Sequence, residues 1–255
     1  HLKDMNRQMV YKYLREREST SKAELSKLTG ISPPTVLKII NFFKEQGLIV
    51  EVGEGETSIG RKPQMLMLNR DLMYLAAFFM EGDFLSMGMV DILGNVIHKK
   101  TIKVKTDFDY IMDMISNVLI PELLEESGIP AHKLFGIGIA LPVIYDPGTC
   151  TISGAPLVED AEERNIRREI NALEEKYHAI VIVENDANSQ ALGEFDRSGC
   201  HEKDDLILIS VGTGMGAGVI LGGRLRRGAH HMCGEIGYMS FTENFVSDRK
   251  NPGWL

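Results

Sequence analysis

The spacing of apolar residues changes near residue 70, and this change does most to limit the folds open to the chain. Before it, apolar side chains recur at i, i+3, i+4 and i+7, the spacing of an amphipathic helix. After it, short apolar runs bounded by turn residues predict strands, and these alternate with helical segments. The pattern predicts a small helical domain followed by a larger α/β body in which helices cover a sheet.

Net charge divides the chain at the same place. Residues 1–70 contain 12 Lys and Arg residues against 8 Asp and Glu residues (net +4), whereas residues 71–255 contain 16 against 28 (net −12). We call residues 1–70 the head and residues 71–255 the body. The basic head and acidic body indicate that only the head binds a polyanion such as nucleic acid.

The bulk composition is that of a globular protein, with 44% apolar and 25% charged residues. No run of 18 apolar residues occurs, and the charged N-terminal segment does not resemble a signal peptide. We therefore expect a cytoplasmic protein without a membrane partner. The three cysteines lie far apart without C-x-x-C spacing, which favours free thiols over disulfides or metal ligands.

Three helices are predicted in the head. The first has an apolar face over residues 5–14, and the second begins at a capping box formed by Ser21 and Glu24 and ends at Gly30. Ser32 can cap the third helix. The core face of this third helix consists of Val36, Ile39, Ile40 and Phe43. Two short helices joined by a Gly-containing turn, after a supporting helix, are the pattern of a helix-turn-helix.

Two strands joined by a flexible loop follow the helices and predict a wing. The strands cover residues 48–52 and 64–68, and the loop covers residues 53–63. Such a module places the N-terminal end of its recognition helix in the major groove. We expect DNA contacts from this helix and from the wing, at Ser32, Pro34, Thr35, Lys38, Arg61 and Lys62. The alternative is a protein-interaction module whose charges are only solvated.

The body has the element order of an α/β domain. Strands are predicted at residues 74–80, 84–92, 96–105, 134–141, 179–186, 205–212 and 216–225. Helices are predicted at residues 110–127, 166–177 and 187–198, and a loop rich in Pro and Gly at residues 142–158.

Asn185 and Asp186 lie where one of these strands ends and a helix begins. The carboxyl edge of an open α/β sheet is where ligands bind, and an amide beside a carboxylate can hold vicinal hydroxyls. A partly desolvated Asp can also take a proton from one of them. Asn and Asp are equally ordinary helix caps, so these residues alone leave both interpretations open.

Two further segments have patterns typical of ligand sites. Residues 212–218 (GTGMGAG) follow an apolar strand and could bind phosphate through backbone N–H groups, although a glycine-rich hairpin without a ligand is the alternative. Residues 227–238 contain Glu235 and the adjacent His230 and His231. Consecutive side chains on a strand or loop point apart, which favours a solvated histidine pair over metal ligands.

Together, 184-ENDAN-188, 212-GTGMGAGVI-220, 227-RGAHHMCGEIG-237 and the wing motif 60-GRKP-63 resemble the ROK family of sugar-responsive repressors and sugar kinases. The resemblance implies an actin-like (ribonuclease H-like) two-lobed α/β fold, preceded in the family's repressors by a winged helix-turn-helix domain.

This resemblance also implies the domain division. Residues 1–70 correspond to the DNA-binding domain, residues 71–189 to the first lobe and residues 190–255 to the second lobe. Family members continue well beyond this point, so the second lobe looks incomplete. The apolar strands of residues 205–225 are expected to expose one face unless something covers them.

By the same resemblance, Asn185 and Asp186 contact sugar hydroxyls and Glu235 holds the sugar from the other side of a cleft. Asp186 matches the catalytic base of the family's kinases. The second phosphate loop of those kinases survives here as a remnant, at Gly212, Thr213 and Gly214.

The family's first phosphate motif, D-x-G-G-T, falls on 79-FMEGD-83. Phe79 replaces the metal-linked Asp, and Glu81 and Asp83 are expected to add negative charge beside the phosphates. Phosphoryl transfer depends on neutralising the charge of the polyphosphate. We therefore expect that ATP turnover is lost and that no cofactor is needed, with ATP and Mg²⁺ bound only if the protein is a kinase.

The family's zinc motif also departs from its pattern. Tyr238 stands at the His position, and Asp248, Lys250 and Trp254 stand where thiolates belong. A tetrahedral zinc site needs those ligands, so zinc is not expected.

These features predict a sugar-responsive transcriptional regulator, most simply a repressor of carbohydrate-utilisation genes, that binds a double-stranded DNA operator. Half-sites spaced by helical turns would require a homodimer or a higher homo-oligomer. One alternative is an ATP-dependent kinase of glucose or N-acetylglucosamine type. The other is a binding module with neither catalysis nor DNA contact.

Overall fold

The computed structural model describes residues 2–55, 62–154, 163–200 and 203–238. The chain divides into two compact units. The first comprises His1–Met73 and Asp91–Asn95, and the second comprises Tyr74–Val90 and Val96–Leu255. Among the described residues, none of the helices combines the length and the apolar composition that crossing a bilayer requires.

The first unit is a winged helix-turn-helix. Its elements are α1 (Leu2–Arg15), β1 (Thr20–Ser21), α2 (Lys22–Thr29), α3 (Pro33–Glu45), β2 (Ile49–Glu54) and β3 (Gln64–Leu68). The strands pair antiparallel in the order β1-β3-β2. The three helices and both wing strands match the sequence prediction. Sequence reasoning misses β1, because two residues are too few to show an alternating pattern.

The capping residues of α2 behave as their sequence predicts. The Glu24 N–H donates to Ser21 Oγ (3.2 Å), and the Ser21 N–H donates to Glu24 Oε2 (3.1 Å). Gly30 ends the helix in the left-handed conformation (φ 69°) that glycine adopts most readily. The reciprocal cap and the terminating glycine fix both ends of α2.

Ser32 occupies the N-cap position of α3, but the prediction that its side chain caps the helix is wrong. An N-cap side chain accepts from the second or third helical N–H. The second is Pro34, which has none, and the third belongs to Thr35, whose N–H donates to the Ser32 carbonyl (2.9 Å). The Ser32 hydroxyl instead lies 2.9 Å from Thr35 Oγ1.

The core of the first unit contains the predicted face of α3 but only part of the predicted face of α1. All four apolar residues of the α3 face are buried, together with Val10 and Leu14 of α1. Met5 and Met9 remain 58% and 40% exposed. The apolar face of α1 is therefore buried only at its C-terminal end.

A five-stranded sheet forms the centre of the second unit. Its strands are β4 (Tyr74–Glu81), β5 (Phe84–Asp91), β6 (Val96–Lys103), β7 (Leu134–Leu141) and β11 (Ile180–Asn185). Their order is β11-β7-β4-β5-β6, with β7 parallel to both β4 and β11. Because these three strands run parallel, their C-terminal residues lie at one edge of the sheet: Glu81 of β4, Leu141 of β7 and Asn185 of β11.

Four helices accompany this sheet, and one helical segment differs from its prediction. The helices are α4 (Phe108–Met114), α5 (Ile120–Ser127), α6 (Arg167–Tyr177) and α7 (Asp186–Arg197). Residues 110–127, predicted as one helix, contain a π turn at Ile115–Leu119. Pro121 explains the turn, because proline has no N–H to donate and its ring crowds the preceding turn. The Ser116 carbonyl accepts hydrogen bonds from α6 instead, from the Lys176 ammonium and the Tyr177 hydroxyl.

The prediction of a loop over residues 142–158 is wrong where those residues are described. They contain β8 (Ile144–Asp146) and β9 (Thr151–Ser153), which form an antiparallel pair. With β10 (Arg164–Asn165) they make a sheet in the order β10-β9-β8. Strands of two or three residues carry too little alternation to be recognised in a sequence.

A third sheet consists of β12 (Leu206–Val211), β13 (Met215–Leu221) and β14 (Arg224–Leu225), all antiparallel. Helix α7 packs on it closely, because Gly218 has no side chain where a Cβ would collide with Ala191 and with the backbone of Ala187. Alternate residues of β12 are exposed, as expected for an apolar hairpin without a cover. These are Ile207, Ile209 and Val211, which are 61–66% exposed.

Candidate functional site

A cavity of about 500 Å³ opens at the carboxyl edge of the five-stranded sheet. The ends of β4 and β11, the start of α7 and the turn between β12 and β13 form its walls. It brings together the residues predicted for sugar and for phosphate, which are Asn185, Asp186, Glu235, Gly212, Thr213 and Gly214. Three sequence motifs that are distant along the chain therefore converge on one cavity.

Asn185 and Asp186 have different roles at the start of α7. Asn185 caps the helix, since its Oδ1 accepts from the Asn188 N–H (3.0 Å) and its Nδ2 donates to the Val143 carbonyl (3.0 Å). Asp186 Oδ1 accepts from the Ala187 N–H (2.9 Å), and the residue lines the cavity. The cap interpretation therefore holds for Asn185, whereas Asp186 offers a carboxylate to the cavity.

The carboxyl groups of the cavity disfavour each other's charged forms. Burial raises the pKa of Asp186 above its ordinary value, and the nearby Glu81 carboxylate raises it further. Burial likewise raises the pKa of Glu235, with a contribution from the Asp186 carboxylate. A ligand that donates hydroxyl hydrogen bonds to these groups would offset the cost of desolvating them.

The corner predicted to hold phosphate is acidic. The Gly212 N–H donates to the Gly214 carbonyl (2.9 Å), so this amide is already used within the turn. Glu81 Oε1 lies against Gly212, where it would collide with any Cβ. Among the described residues that line the cavity, four have carboxylates and none is Lys, Arg or His.

Asp83 does not add the free negative charge that its position predicted. Lys103 Nζ lies 2.7 Å from Asp83 Oδ2, and this ammonium lowers the pKa of the Asp83 carboxyl. No sequence motif reveals this partner, which comes from β6 next to the Phe84–Lys103 register pair. The acidic character of the corner therefore rests on Glu81, for which the described part of the chain supplies no ion pair.

An ion pair between the buried Glu184 and the half-buried Arg227 adjoins the Asn185–Asp186 turn, and the sequence interpretation gave these two residues no role. Glu184, only 8% exposed, accepts from Arg227 Nε (3.1 Å) and also pairs with the terminal nitrogen of that guanidinium. Its other oxygen accepts from the Asn185 N–H (3.0 Å) and from Asn188 Nδ2 (3.1 Å). The sequence did contain a signal for this pair, because Glu184 and Arg227 both belong to the motifs that resemble the ROK family. Arg227 thus ties the segment that leads to Glu235 to the start of α7.

The prediction of a solvated histidine pair holds for His230, which is exposed, but is wrong for His231. His231 Nε2 lies 3.2 Å from Asp146 Oδ1, and its backbone is left-handed (φ 57°). Asp146 belongs to β8, which the sequence prediction treated as loop. Position 234 requires glycine, because a Cβ there would collide with the Ala217 carbonyl.

The metal predictions can be compared with only part of the chain. Within the described residues, no group of three or more His, Cys, Asp or Glu side chains could hold a metal ion. Tyr238, which replaces the family's His, lines the cavity. Asp248, Lys250 and Trp254 lie outside the described residues.

The predicted DNA contacts lie on the surface of the first unit. Ser32, Pro34 and Lys38 are exposed at the N-terminal half of α3, and Thr35 is half-buried. Lys62 is exposed before β3, whereas Arg61 lies outside the described residues. The exposure of Ser32, Pro34 and Lys38 at the N-terminal half of α3 leaves them accessible, and their contacts with DNA stay a prediction.

The fold and the cavity define a class of protein that has a winged helix-turn-helix domain and an actin-like domain of the sugar-kinase type. Comparison with known families agrees with this class. The model of the ROK family matches residues 82–248, and the model of winged helix-turn-helix DNA-binding domains matches residues 4–50. The chain belongs to the ROK family.

Repressors and kinases both occur among the similar proteins. The xylose repressor of Bacillus subtilis is 28% identical over 248 residues, 95% of this chain and 62% of that repressor. The xylose repressor of Caldicellulosiruptor bescii is 29% identical over 251 residues, 97% of this chain and 61% of that repressor. The chain thus spans less than two thirds of the length of these relatives.

Solved structures confirm the predicted fold. A ROK family transcriptional regulator, a homologue of the E. coli MLC protein, matches with a TM-score of 0.72 and 24% identity over 96% of this chain and 61% of its own. A ROK family glucokinase from Streptomyces griseus, in complex with glucose and AMPPNP, matches with a TM-score of 0.53 and 26% identity over 67% of this chain and 51% of its own.

Proposed function

We propose that the protein is a sugar-responsive, DNA-binding repressor of carbohydrate-utilisation genes. The observation that carries the proposal is the uneven chemistry of the cavity. One side offers Asp186 and Glu235 to hydroxyl groups, while Glu81 occupies the corner where a nucleotide phosphate would have to lie. The winged helix-turn-helix and the similarity to xylose repressors support the DNA-binding part of the proposal.

The proposed effector is a small neutral carbohydrate. A volume of about 500 Å³ is within the range of small-molecule sites. Buried carboxylates accept hydrogen bonds strongly, and each sugar hydroxyl can donate one. Asn185 already uses both ends of its amide, so Asp186 and Glu235 would supply the main direct contacts, with Asn185 fixing the turn that holds Asp186.

The same cavity opposes nucleotide binding. A triphosphate needs cations or free N–H groups around its oxygens. The described lining has neither Lys nor Arg, and the Gly212 amide is bonded within its own turn. No nucleotide or magnesium is therefore part of the proposed function. A homodimer would provide the two DNA-binding domains that a symmetric operator requires.

A sugar kinase is the second candidate. Asp186 favours it, because a carboxylate with a raised pKa that faces a cavity is suited to general-base work. The similarity to a glucokinase solved with glucose and AMPPNP also favours it. This candidate predicts ADP release with some sugar, and loss of that release in Asp186→Asn.

A thermal-shift screen of monosaccharides, each with and without Mg²⁺ and ATP, tests the proposal. We expect at least one sugar to raise the Tm without ATP, since a ligand that binds only the folded state stabilises it. ATP should add nothing. In Asp186→Asn the sugar should bind about 10-fold to 100-fold more weakly, because a hydrogen bond to a charged group is lost. Glu194→Gln, on the exposed side of α7, is the matched control and should respond as wild type.

Three results would count against the proposal. A Tm shift with Mg²⁺ and ATP alone would show that the acidic corner accepts a triphosphate. ADP formation that depends on Asp186 would establish the kinase. A screen in which no carbohydrate shifts the Tm would remove the sugar-binding part of the proposal.

A further inference from the structure

A second cavity, of about 480 Å³, lies in the first unit between α1 and the N-terminal half of α3. Its polar lining residues are Lys3, Asn6 and Arg7 from α1, and Thr35 and Lys38 from α3. We call these five residues the basic cleft. No carboxylate is among the described residues that line it, although the first unit contains several acidic residues.

Helical spacing explains how five polar residues come to face one cleft. Lys3, Asn6 and Arg7 stand at i, i+3 and i+4, which puts them on one face of α1. Thr35 and Lys38 stand at i and i+3 on α3. Two helices therefore contribute three cations, one amide and one hydroxyl to the same space, and all of these groups can donate hydrogen bonds.

The Arg7 guanidinium is held in place by packing. Its central carbon lies 3.6 Å from the centroid of the Phe42 ring, a stacked cation–π arrangement. The nearest acidic contact is Asp4 Oδ1, 3.9 Å from Arg7 Nη1, and the Asp4 side chain is 68% exposed. An ion pair this long and this exposed contributes little. Arg7 is thus oriented by an aromatic ring and keeps N–H donors for an anion.

We propose that the basic cleft binds a phosphodiester of the DNA backbone. This inference rests on the proposed DNA binding and extends it to α1, which sequence reasoning treated only as a supporting helix. Thr35 and Lys38 belong to the predicted recognition surface, so the cleft continues that surface along its edge. Phosphate contacts of this kind fix the register of a protein on the duplex, and base edges are read elsewhere.

The test measures the affinity of the chain for a mixed-sequence duplex at several salt concentrations. Each phosphate contact contributes about −0.9 to the slope of log K against log salt. Lys3→Gln with Arg7→Gln, which removes both cations that α1 contributes, should therefore make the slope shallower by up to about 0.9, and Lys3→Gln alone should make it shallower by part of that amount. Lys12→Gln is the control, because Lys12 is exposed on the same helix, on the face away from Lys3 and Arg7, and removes the same charge. Its slope should equal that of wild type.

The outcomes separate this inference from the proposed function. If wild type binds the duplex but the Lys3 and double variants keep its slope, the basic cleft is overturned and DNA binding stands. If wild type binds no duplex at low salt, the proposed DNA binding fails and the cleft fails with it. If inorganic phosphate raises the Tm of wild type but not of the double variant, while the duplex slopes are equal, the cleft is a small-anion site and not a DNA contact. A thermal melt of the double variant verifies that it is folded.

Discussion

Glu235 shows how single side chains set the properties of the cavity. Its carboxyl lies in the cavity together with that of Asp186. Burial raises its pKa, and the neighbouring Asp186 charge raises it further. A charged group in such a place destabilises the empty protein and becomes favourable when a ligand donates hydrogen bonds to it. Binding sites commonly contain groups that destabilise the unliganded protein in this way.

The raised pKa of Glu235 predicts a pH-dependent stability difference. Above the unfolded pKa of Glu, about 4.3, the folded protein holds this proton more tightly than the unfolded chain, so stability falls as pH rises through the folded pKa. Glu235→Gln removes the titrating group. Without sugar, we expect this variant to have a higher Tm than wild type at pH 7, and the difference to disappear near pH 4. Thermal melts of both proteins at the two pH values measure it, and a difference independent of pH would contradict the explanation.

At the scale of elements, the Glu184–Arg227 pair joins parts that are distant in sequence. Glu184 is the penultimate residue of β11, next to the Asn185–Asp186 turn, and Arg227 begins the segment that carries Glu235. Because Glu184 is buried, its carboxylate depends on Arg227 and on the amides of Asn185 and Asn188. The pair therefore aligns the two sides of the cavity as well as stabilising the unit.

Arg227→Met should lower the free energy of unfolding by about 2–3 kcal/mol, because it leaves a buried carboxylate without its cation. Adding Glu184→Gln to this variant should restore part of the loss. Arg164→Met is the control: Arg164 pairs mainly with Asp109, whose side chain is 70% exposed, and should cost less than about 1 kcal/mol. Urea unfolding of the three variants and wild type measures the free energies of unfolding. Equal losses of unfolding free energy for the two arginine variants would show that the Glu184–Arg227 pair stabilises the protein no more than an exposed ion pair does.

The long elements of both units could be predicted from the sequence, because apolar periodicity and capping residues are local signals. The helices of the first unit, the strands β4 to β7 and the start of α7 are examples. The strands β1, β8 and β9 could not be predicted, since two or three residues become strands only when a partner supplies the hydrogen bonds. The π turn before Pro121 follows from chemistry that a periodicity search does not include.

The site was partly predictable for the same reason. Asn185, Asp186 and Glu235 belong to recognisable motifs, and they do line one cavity. The pairs Asp83–Lys103, Asp146–His231 and Glu184–Arg227 depend on how distant strands and turns meet, which no local pattern encodes.

At the scale of the whole molecule, the account requires the sugar to alter DNA binding. A ligand can do this only if it binds two states of the protein with different affinity, and typical couplings change affinity 5-fold to 150-fold. In the proposed function, the basic first unit binds the polyanion and the acidic second unit binds the neutral effector.

The most direct test measures the Kd for a duplex selected from a random pool, at one fixed salt concentration, with and without the sugar that raises the Tm. The account predicts that this sugar changes the Kd at least 5-fold in wild type. It also predicts that Asp186→Asn still binds the same duplex but needs about 10-fold to 100-fold more sugar for the same change in Kd. Selection of no duplex, or a Kd that stays constant while the sugar is bound, would contradict the account.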